Sequence, residues 1–312
     1  MRRSSLLVMA AAALLACLPA TASAQPLPVD YNFFAGIPNE LADPGGSLPG
    51  SNDWSCRPSA MHPNPVVLIH GTAGGAQTNW GAYVPLLANE GYCVYALNYG
   101  ALDVPWPLSA MGGMRPIAES GAQLAAFVER VRSATGARQV DFLSHSQGSL
   151  VGSYYLKRLD GAETVDKFVS LAGPWLGVYG DQMDVWRTVG QRLGVAADDL
   201  DRMVSAGVCS PCSELMGGSA FMRALNADGV YVPGVAYTNI ATVYDEIATP
   251  YTSGLVAGPN AANIVVQDGC PADFSEHLAI AGSQRAAGYV LNALDPARQA
   301  AVPCEFVPPF TG

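Results

Sequence analysis

Charge is what this chain has least of. Only 13% of its 312 residues are Asp, Glu, Lys or Arg, about half the usual share, so the surface must be polar through Ser, Thr, Asn and Gly. The balance is acidic, with 16 basic side chains against 26 acidic ones and a net charge of −10. A surface of that sign repels phosphate backbones and anionic headgroups, which argues against nucleic acid and anionic membranes as partners. Histidine is scarce too: His62, His70, His145 and His277 are all there are. Past the N-terminus no apolar run is long enough to span a bilayer, and there is neither an internal repeat nor a low-complexity linker. The one CxxC pair, Cys209 and Cys212, has no second pair to complete a metal site. No metal and no cofactor are expected.

The N-terminus sets the compartment. Arg2 and Arg3 precede an apolar run from Leu6 to Leu18, and Ala22-Ser23-Ala24 forms an A-x-A cleavage site, so residues 1–24 read as a secretory signal. Lipoprotein anchoring through Cys17, in Leu14-Leu15-Ala16-Cys17, is the minor alternative. Removing 24 of 312 residues leaves 288, with 14 basic and 26 acidic side chains and a net charge of −12. That length, half of it apolar, suits a single large α/β domain over 25–312, expected to be a monomer. Six cysteines remain, Cys56, Cys93, Cys209, Cys212, Cys270 and Cys304, and an even count in an exported protein argues for disulfides. Spacing alone does not say which pairs with which.

What is present is a regular alternation. Val66 to Ile69 reads as a buried parallel strand. It opens into His70-Gly71-Thr72-Ala73-Gly74-Gly75, where glycine lets backbone amides approach a ligand. Trp80 to Glu90 reads as a short helix and Cys93 to Leu97 as a strand. Ile117, Gly121, Leu124, Val128 and Val131 recur at helical spacing, opposite Gln123, Glu129 and Arg132. Further strands are expected over Val140–Leu143, Lys167–Ala172, Ala236–Ala241 and Asn263–Gln267. This order implies an α/β fold, a mostly parallel sheet with helices on both faces, whose ligands sit at the carboxyl ends of the strands. Gln25 to Pro65, rich in Pro, Gly, Asn and Asp, reads as an irregular leader wrapped over that domain.

Within the alternation one stretch carries chemistry. Val140-Asp141-Phe142-Leu143-Ser144-His145-Ser146-Gln147-Gly148 is a strand, and Val151, Tyr155 and Leu159 follow at helical spacing. A strand that reverses directly into a helix strains the turn residue and lifts its side chain above the sheet, with small neighbours on either side. Ser146 is that residue, flanked by Ser144 and Gly148. A serine hydroxyl needs a base within hydrogen-bond reach and an acid to hold the base's tautomer. His62 precedes the first core strand, His70 begins the glycine loop and the His145 side chain points away from the turn, which leaves His277. The acid belongs at the end of an intervening strand. Asp245 answers best, with Glu246 and then Asp268 as competitors. Asp181, Asp184, Asp198 and Asp201 fall in a stretch that reads as solvated helices. A developing oxyanion needs preorganised amides; the candidates are those of Gln147 and Thr72.

Three segments together carry a family resemblance: Ser146-Gln147-Gly148, Tyr244-Asp245-Glu246-Ile247 with Pro250 following, and Glu276-His277-Leu278. They resemble the secreted bacterial class 2 lipases and, more distantly, lipases of the fungal B type, over roughly Trp54 to Cys304. The resemblance implies an α/β-hydrolase fold and metal-free ester hydrolysis. It assigns Ser146, Asp245 and His277 to a catalytic triad and Thr72 and Gln147 to the oxyanion hole, with the Thr72 hydroxyl as an added donor. It further implies disulfides Cys56–Cys93 and Cys270–Cys304, leaving Cys209 with Cys212. Ser144 stands where many hydrolases have glycine; fungal-type lipases also carry a small hydroxyl residue there.

A cap-like insertion occupies about 174–235. Its apolar residues, among them Trp175, Leu176, Trp186, Val189, Leu193, Leu200, Met203 and Val204, either line an acyl pocket and meet a lipid surface or pack the core as crossover helices. Trp80 and Trp106 are further candidates for the rim of the site. The expected substrate is a lipid or other ester at an oil–water or polymer surface. Polyesters such as cutin or suberin are the alternative within the same chemistry, and a catalytically silent lipid-binding surface protein is the alternative outside it.

Overall fold

A computed structural model of the chain describes residues 25–180 and 208–311, together with Arg187 and Ala196. Among the described residues six strands form one fully parallel sheet: β1 Val66–Ile69, β2 Val94–Ala96, β3 Val140–His145, β4 Val165–Leu171, β5 Ala236–Ala241 and β6 Ala261–Val265, in the order β2-β1-β3-β4-β5-β6. The apolar runs over β1 and β3 are buried on both faces, as a sheet covered twice demands. Val67 and Ile69 pack into one core, while Val66 and Leu68 point to the other.

The first core is closed by helices α3 (Ile117–Thr135) and α4 (Gly148–Arg158) through Ile117, Leu124, Val128, Leu150 and Val151. The second is closed by α2 (Tyr83–Asn89) and α7 (Gln284–Leu294) through Tyr83, Leu87, Ala287 and Val290. Two smaller helices, α5 (Pro211–Glu214) and α6 (Ala220–Leu225), bring Cys212, Met222 and Leu225 into the first core. Chain order reverses between β1 and β3, and the last residue of β1, Ile69, pairs with Ser144. The glycine loop after β1 and the turn after β3 are thereby side by side at the switch point, where open parallel sheets take their ligands.

Three disulfides, Cys56–Cys93, Cys209–Cys212 and Cys270–Cys304, join the cysteines in the pairing that the resemblance implies. Among the described residues no helix is long and apolar enough to cross a membrane.

Four expectations need correction. The leader is not wholly irregular: Phe33–Gly36 forms a 3-10 turn capped by Asn32, whose side chain accepts from the amide of Phe34. It runs straight into α1 (Ile37–Ala42), with Pro38 in the first turn, where a missing N–H costs nothing. The helix expected from Trp80 starts at Tyr83, and Trp80 is no rim residue; it is fully buried, edge-on to Tyr83. The last strand begins two residues early, at Ala261, and Val266 beyond it is buried. Within the insertion, Trp175 is core, its indole N–H donating to Asn239 Oδ1 at 2.7 Å, while Leu176 is exposed. Trp186, Val189, Leu193, Leu200, Met203 and Val204, and also Asp181, Asp184, Asp198 and Asp201, lie outside the described residues.

Candidate active site

At the end of β3 the chain turns at Ser146 with a φ of 52°, in the left-handed region that a non-glycine residue occupies only under constraint. The constraint is steric. A Cβ at Gly148 would stand 2.2 Å from the carbonyl oxygen of Ile69, so only glycine lets α4 start this close to β1. The amide of Ser146 donates to Leu171 O at 2.9 Å. Ser144 fits because its hydroxyl joins a buried chain, 2.9 Å from Ser149 Oγ, which is itself 2.8 Å from Ser170 Oγ.

The hydroxyl of Ser146 lies 2.8 Å from His277 Nε2. The other ring nitrogen, Nδ1, is 2.9 Å from both carboxylate oxygens of Asp245. Asp245 Oδ1 also accepts from the amides of Ile247 (3.0 Å) and Ala248 (2.6 Å), which hold the carboxylate beside the imidazole. Both residues are buried. Burial alone would pull the His277 pKa down. The carboxylate of Asp245, acting through its charge and its hydrogen bond, and the nearby Glu246 and Glu276 outweigh that and raise it above the usual 6.5.

The competing acids sit elsewhere. Glu246 Oε2 accepts from the backbone amide of His277 at 3.3 Å, not from its ring. At Asp268 it is the backbone carbonyl that is engaged, accepting from Arg285 Nη2 at 2.7 Å. The other histidines serve different ends. His62 packs tilted against Tyr92, with ring centroids 3.8 Å apart. Burial drives His70 down to about 4 and His145 to about 3, so both are neutral rings. His145 is a strut, with Nε2 2.9 Å from His277 O and Nδ1 3.0 Å from Asn79 Oδ1.

The glycine loop is pinned from two directions. Asn79 Oδ1 accepts from the amide of Gly71 at 3.0 Å, and Gly112 exchanges backbone bonds with Ala73 and Gly74 at 2.9 and 2.8 Å. Thr72 is brought beside Gln147, and its hydroxyl donates to the side-chain Oε1 of Gln147. Its proton is therefore engaged by a neighbour in this structure. Among the described residues neither the Thr72 amide nor the Gln147 amide has a protein acceptor.

Above Ser146 and His277 opens a cavity of about 180 Å³, walled by apolar side chains that include Phe34, Ile37, Val178, Leu215, Ile247 and Leu278. Sequence reasoning missed two parts of this arrangement. One is the leader wall, Phe34 and Ile37. The other is Asp273, fully buried, whose Oδ1 takes the amide and hydroxyl of Ser275 and whose Oδ2 takes the hydroxyl of Ser283 at 3.0 Å. Asp273-x-Ser275 is the spacing of a side chain that caps its own loop, a local signal that was there to be read.

The class 2 lipase family matches residues 63–286, a span that includes every residue of this cluster from Thr72 to His277. The chain belongs to that family. Solved structures agree on the fold. Lipase B of Aspergillus fumigatus aligns at 18% identity and a TM-score of 0.58, over 82% of this chain and 57% of its own length. This protein thus spans little more than half of that relative. The mature form of a Bacillus licheniformis lipase aligns at 15% identity and a TM-score of 0.53, over 81% of this chain and 99% of that one. A hydrolase from Pseudomonas aeruginosa aligns at 14% identity and 0.50, over 76% and 91%. All are similar in the α/β-hydrolase fold.

Proposed function

We propose that this lipase cleaves lipid esters through an acyl-enzyme on Ser146. His277 takes the Ser146 proton as oxygen attacks the ester carbonyl and passes it to the leaving alcohol. It then activates the water that releases the acid. Asp245 holds His277 in the tautomer that presents Nε2 to serine and stabilises the imidazolium. The amides of Thr72 and Gln147 receive the oxyanion, a role for which their lack of a protein acceptor suits them. The observation that carries the reading is the unbroken contact from Ser146 Oγ through His277 to Asp245 at the floor of an apolar cavity. The raised His277 pKa is consistent with a base paired to a buried carboxylate.

The protein acts, in this reading, as one domain outside the cell, after loss of residues 1–24. Three disulfides support that compartment, since such bonds persist where the surroundings oxidise. A fluorophosphonate probe tests the chemistry. Stoichiometric labelling mapped to Ser146, lost in Ser146→Ala, is the expected result; a folded protein that stays unlabelled while hydrolysing tributyrin would remove Ser146 from the nucleophile's place. Assays on long-chain triglyceride and on polyester film then distinguish lipid from polymer substrates.

A further inference from the structure

Phe33, Phe34 and Ile37 line the same cavity as Ser146 and His277, yet they precede residues 63–286, the span that matches the family. The chemistry of the serine does not need them there. The chain nevertheless holds them firmly. The amide of Phe33 donates to Thr311 O at 3.0 Å. A Cβ on Gly36 would stand 1.9 Å from Gln77 O, and one on Gly81 2.3 Å from the amide nitrogen of Gly36, so backbone lies on backbone. Buried Glu40 takes Gln77 Nε2 at 2.9 Å and the amide of Gly45 at 3.0 Å.

This wall also meets the stretch that carries His277. A Cβ on Gly282, just beyond His277, would meet the amide nitrogen of Phe33 at 2.5 Å. The Phe33 ring lies 6.0 Å from that of His145, the strut under His277. Val178 and Leu215, from the stretch that follows β4, line the same cavity and are tied to each other, the amide of Val178 donating to Leu215 O at 2.9 Å. When an ester is cleaved, the Ser146 Oγ to acyl-carbon bond forms and the bond from acyl carbon to alcohol oxygen breaks. The departing oxygen collects, from His277 Nε2, the proton that Ser146 gave up. The alcohol must therefore leave on the side of His277.

Resting on the assignment of Ser146 as nucleophile, we propose that Phe34 and Ile37 are specificity-determining residues for the leaving alcohol, seating its alkyl chain against the leader while the acyl chain runs toward Val178 and Leu215. Both side chains are about one-third exposed, 36% and 37%. They form an open apolar shelf, suited to a flexible chain of varied length.

Two ester series below their solubility limits test this: butyrates of straight-chain alcohols from methyl to octyl, and methyl esters of acids from butyrate to dodecanoate. In Phe34→Ala and in Ile37→Ala the ratio of kcat/KM for octyl over methyl butyrate is expected to fall about tenfold, chiefly through KM, with the acid-length profile unchanged in shape. Leu41→Ala, on the same helix but exposed and away from the cavity, should keep the wild-type ratio. Should the alanine variants melt early, Phe34→Leu and Ile37→Val are expected to show the same change at smaller size. A change confined to the acid series overturns the proposal, as does an unshifted ratio in variants that fold. Fluorophosphonate labelling separates the two readings: labelling intact with the ratio unmoved tells against the leader alone, and labelling absent tells against Ser146.

Discussion

The two halves of the site are held in place by different forces. Ser146 is positioned by backbone packing: a central strand, a helix pressed against β1 at Gly148, and an amide bonded to the end of β4. His277 sits on a stretch whose only regular element is the short 3-10 turn Ala279–Ala281, and side chains hold it. Asp273 binds Ser275 and Ser283, and the hydroxyl of Thr242 donates to Ser275 O at 2.6 Å. Glu246 accepts from the His277 amide and Glu276 from that of Leu278 at 2.6 Å, while Cys270–Cys304 ties the stretch to the C-terminal tail. The place of Ser146 is thus set by excluded volume, which salt and pH do not touch. The place of His277 rests on carboxylates, which pH does touch.

The comparison breaks first at the reacting atoms themselves. Ser146→Ala is expected to lower kcat on tributyrin about a million-fold while leaving the denaturation midpoint near the wild type. Asp245→Asn, which lets an amide N–H face Nδ1 and turn the tautomer, is expected to cost about ten-thousand-fold in kcat with the protein still folded. A mild effect there would return the acid's role to Glu246 or Asp268.

Stability tests sharpen the contrast. Gly148→Ala forces a methyl onto a backbone carbonyl that cannot yield, and about 3 kcal/mol of unfolding free energy should be lost. Asp273→Asn puts a donor opposite one of its buried hydroxyl or amide partners and should cost about 2 kcal/mol, read as a lower urea midpoint at unchanged slope. Activity should suffer more than in a surface variant of equal stability, because the histidine stretch loosens first.

The smallest effect is on pH. In the proposed role His277 works only when neutral, and its pKa is raised above 6.5, so kcat/KM should fall as pH drops through a midpoint above that value. Glu246 is one of the charges raising it. Glu246→Gln should therefore move the acid limb to lower pH, so that activity persists further into acid; an unmoved limb would leave the raising to Asp245 and Glu276.

The elbow was legible in the sequence because its causes are local. Val140 to Leu143, the small residues around Ser146 and the helical spacing of Val151, Tyr155 and Leu159 all lie within one strand–turn–helix unit. His277 was reached by elimination among four histidines. Asp245 ranked above Glu246 and Asp268 by its place just after a strand and by the resemblance, and the contacts in the fold separate the three in space. The leader was misread as irregular because Phe33, Phe34 and Ile37 form too short a pattern to show a period. What orders them is contact with Gln77, Gly81 and Gly282, far along the chain.

Composition, periodicity and turn chemistry by themselves determined the alternating parallel fold, the strained serine and the cysteine pool, because each is encoded in neighbouring residues. Only the tertiary structure decided which carboxylate meets the histidine, that His145 is a strut, and that the leader walls the cavity. Those contacts join segments with no local signal of one another, and steric fit across the folded sheet selects among partners that the sequence could only rank.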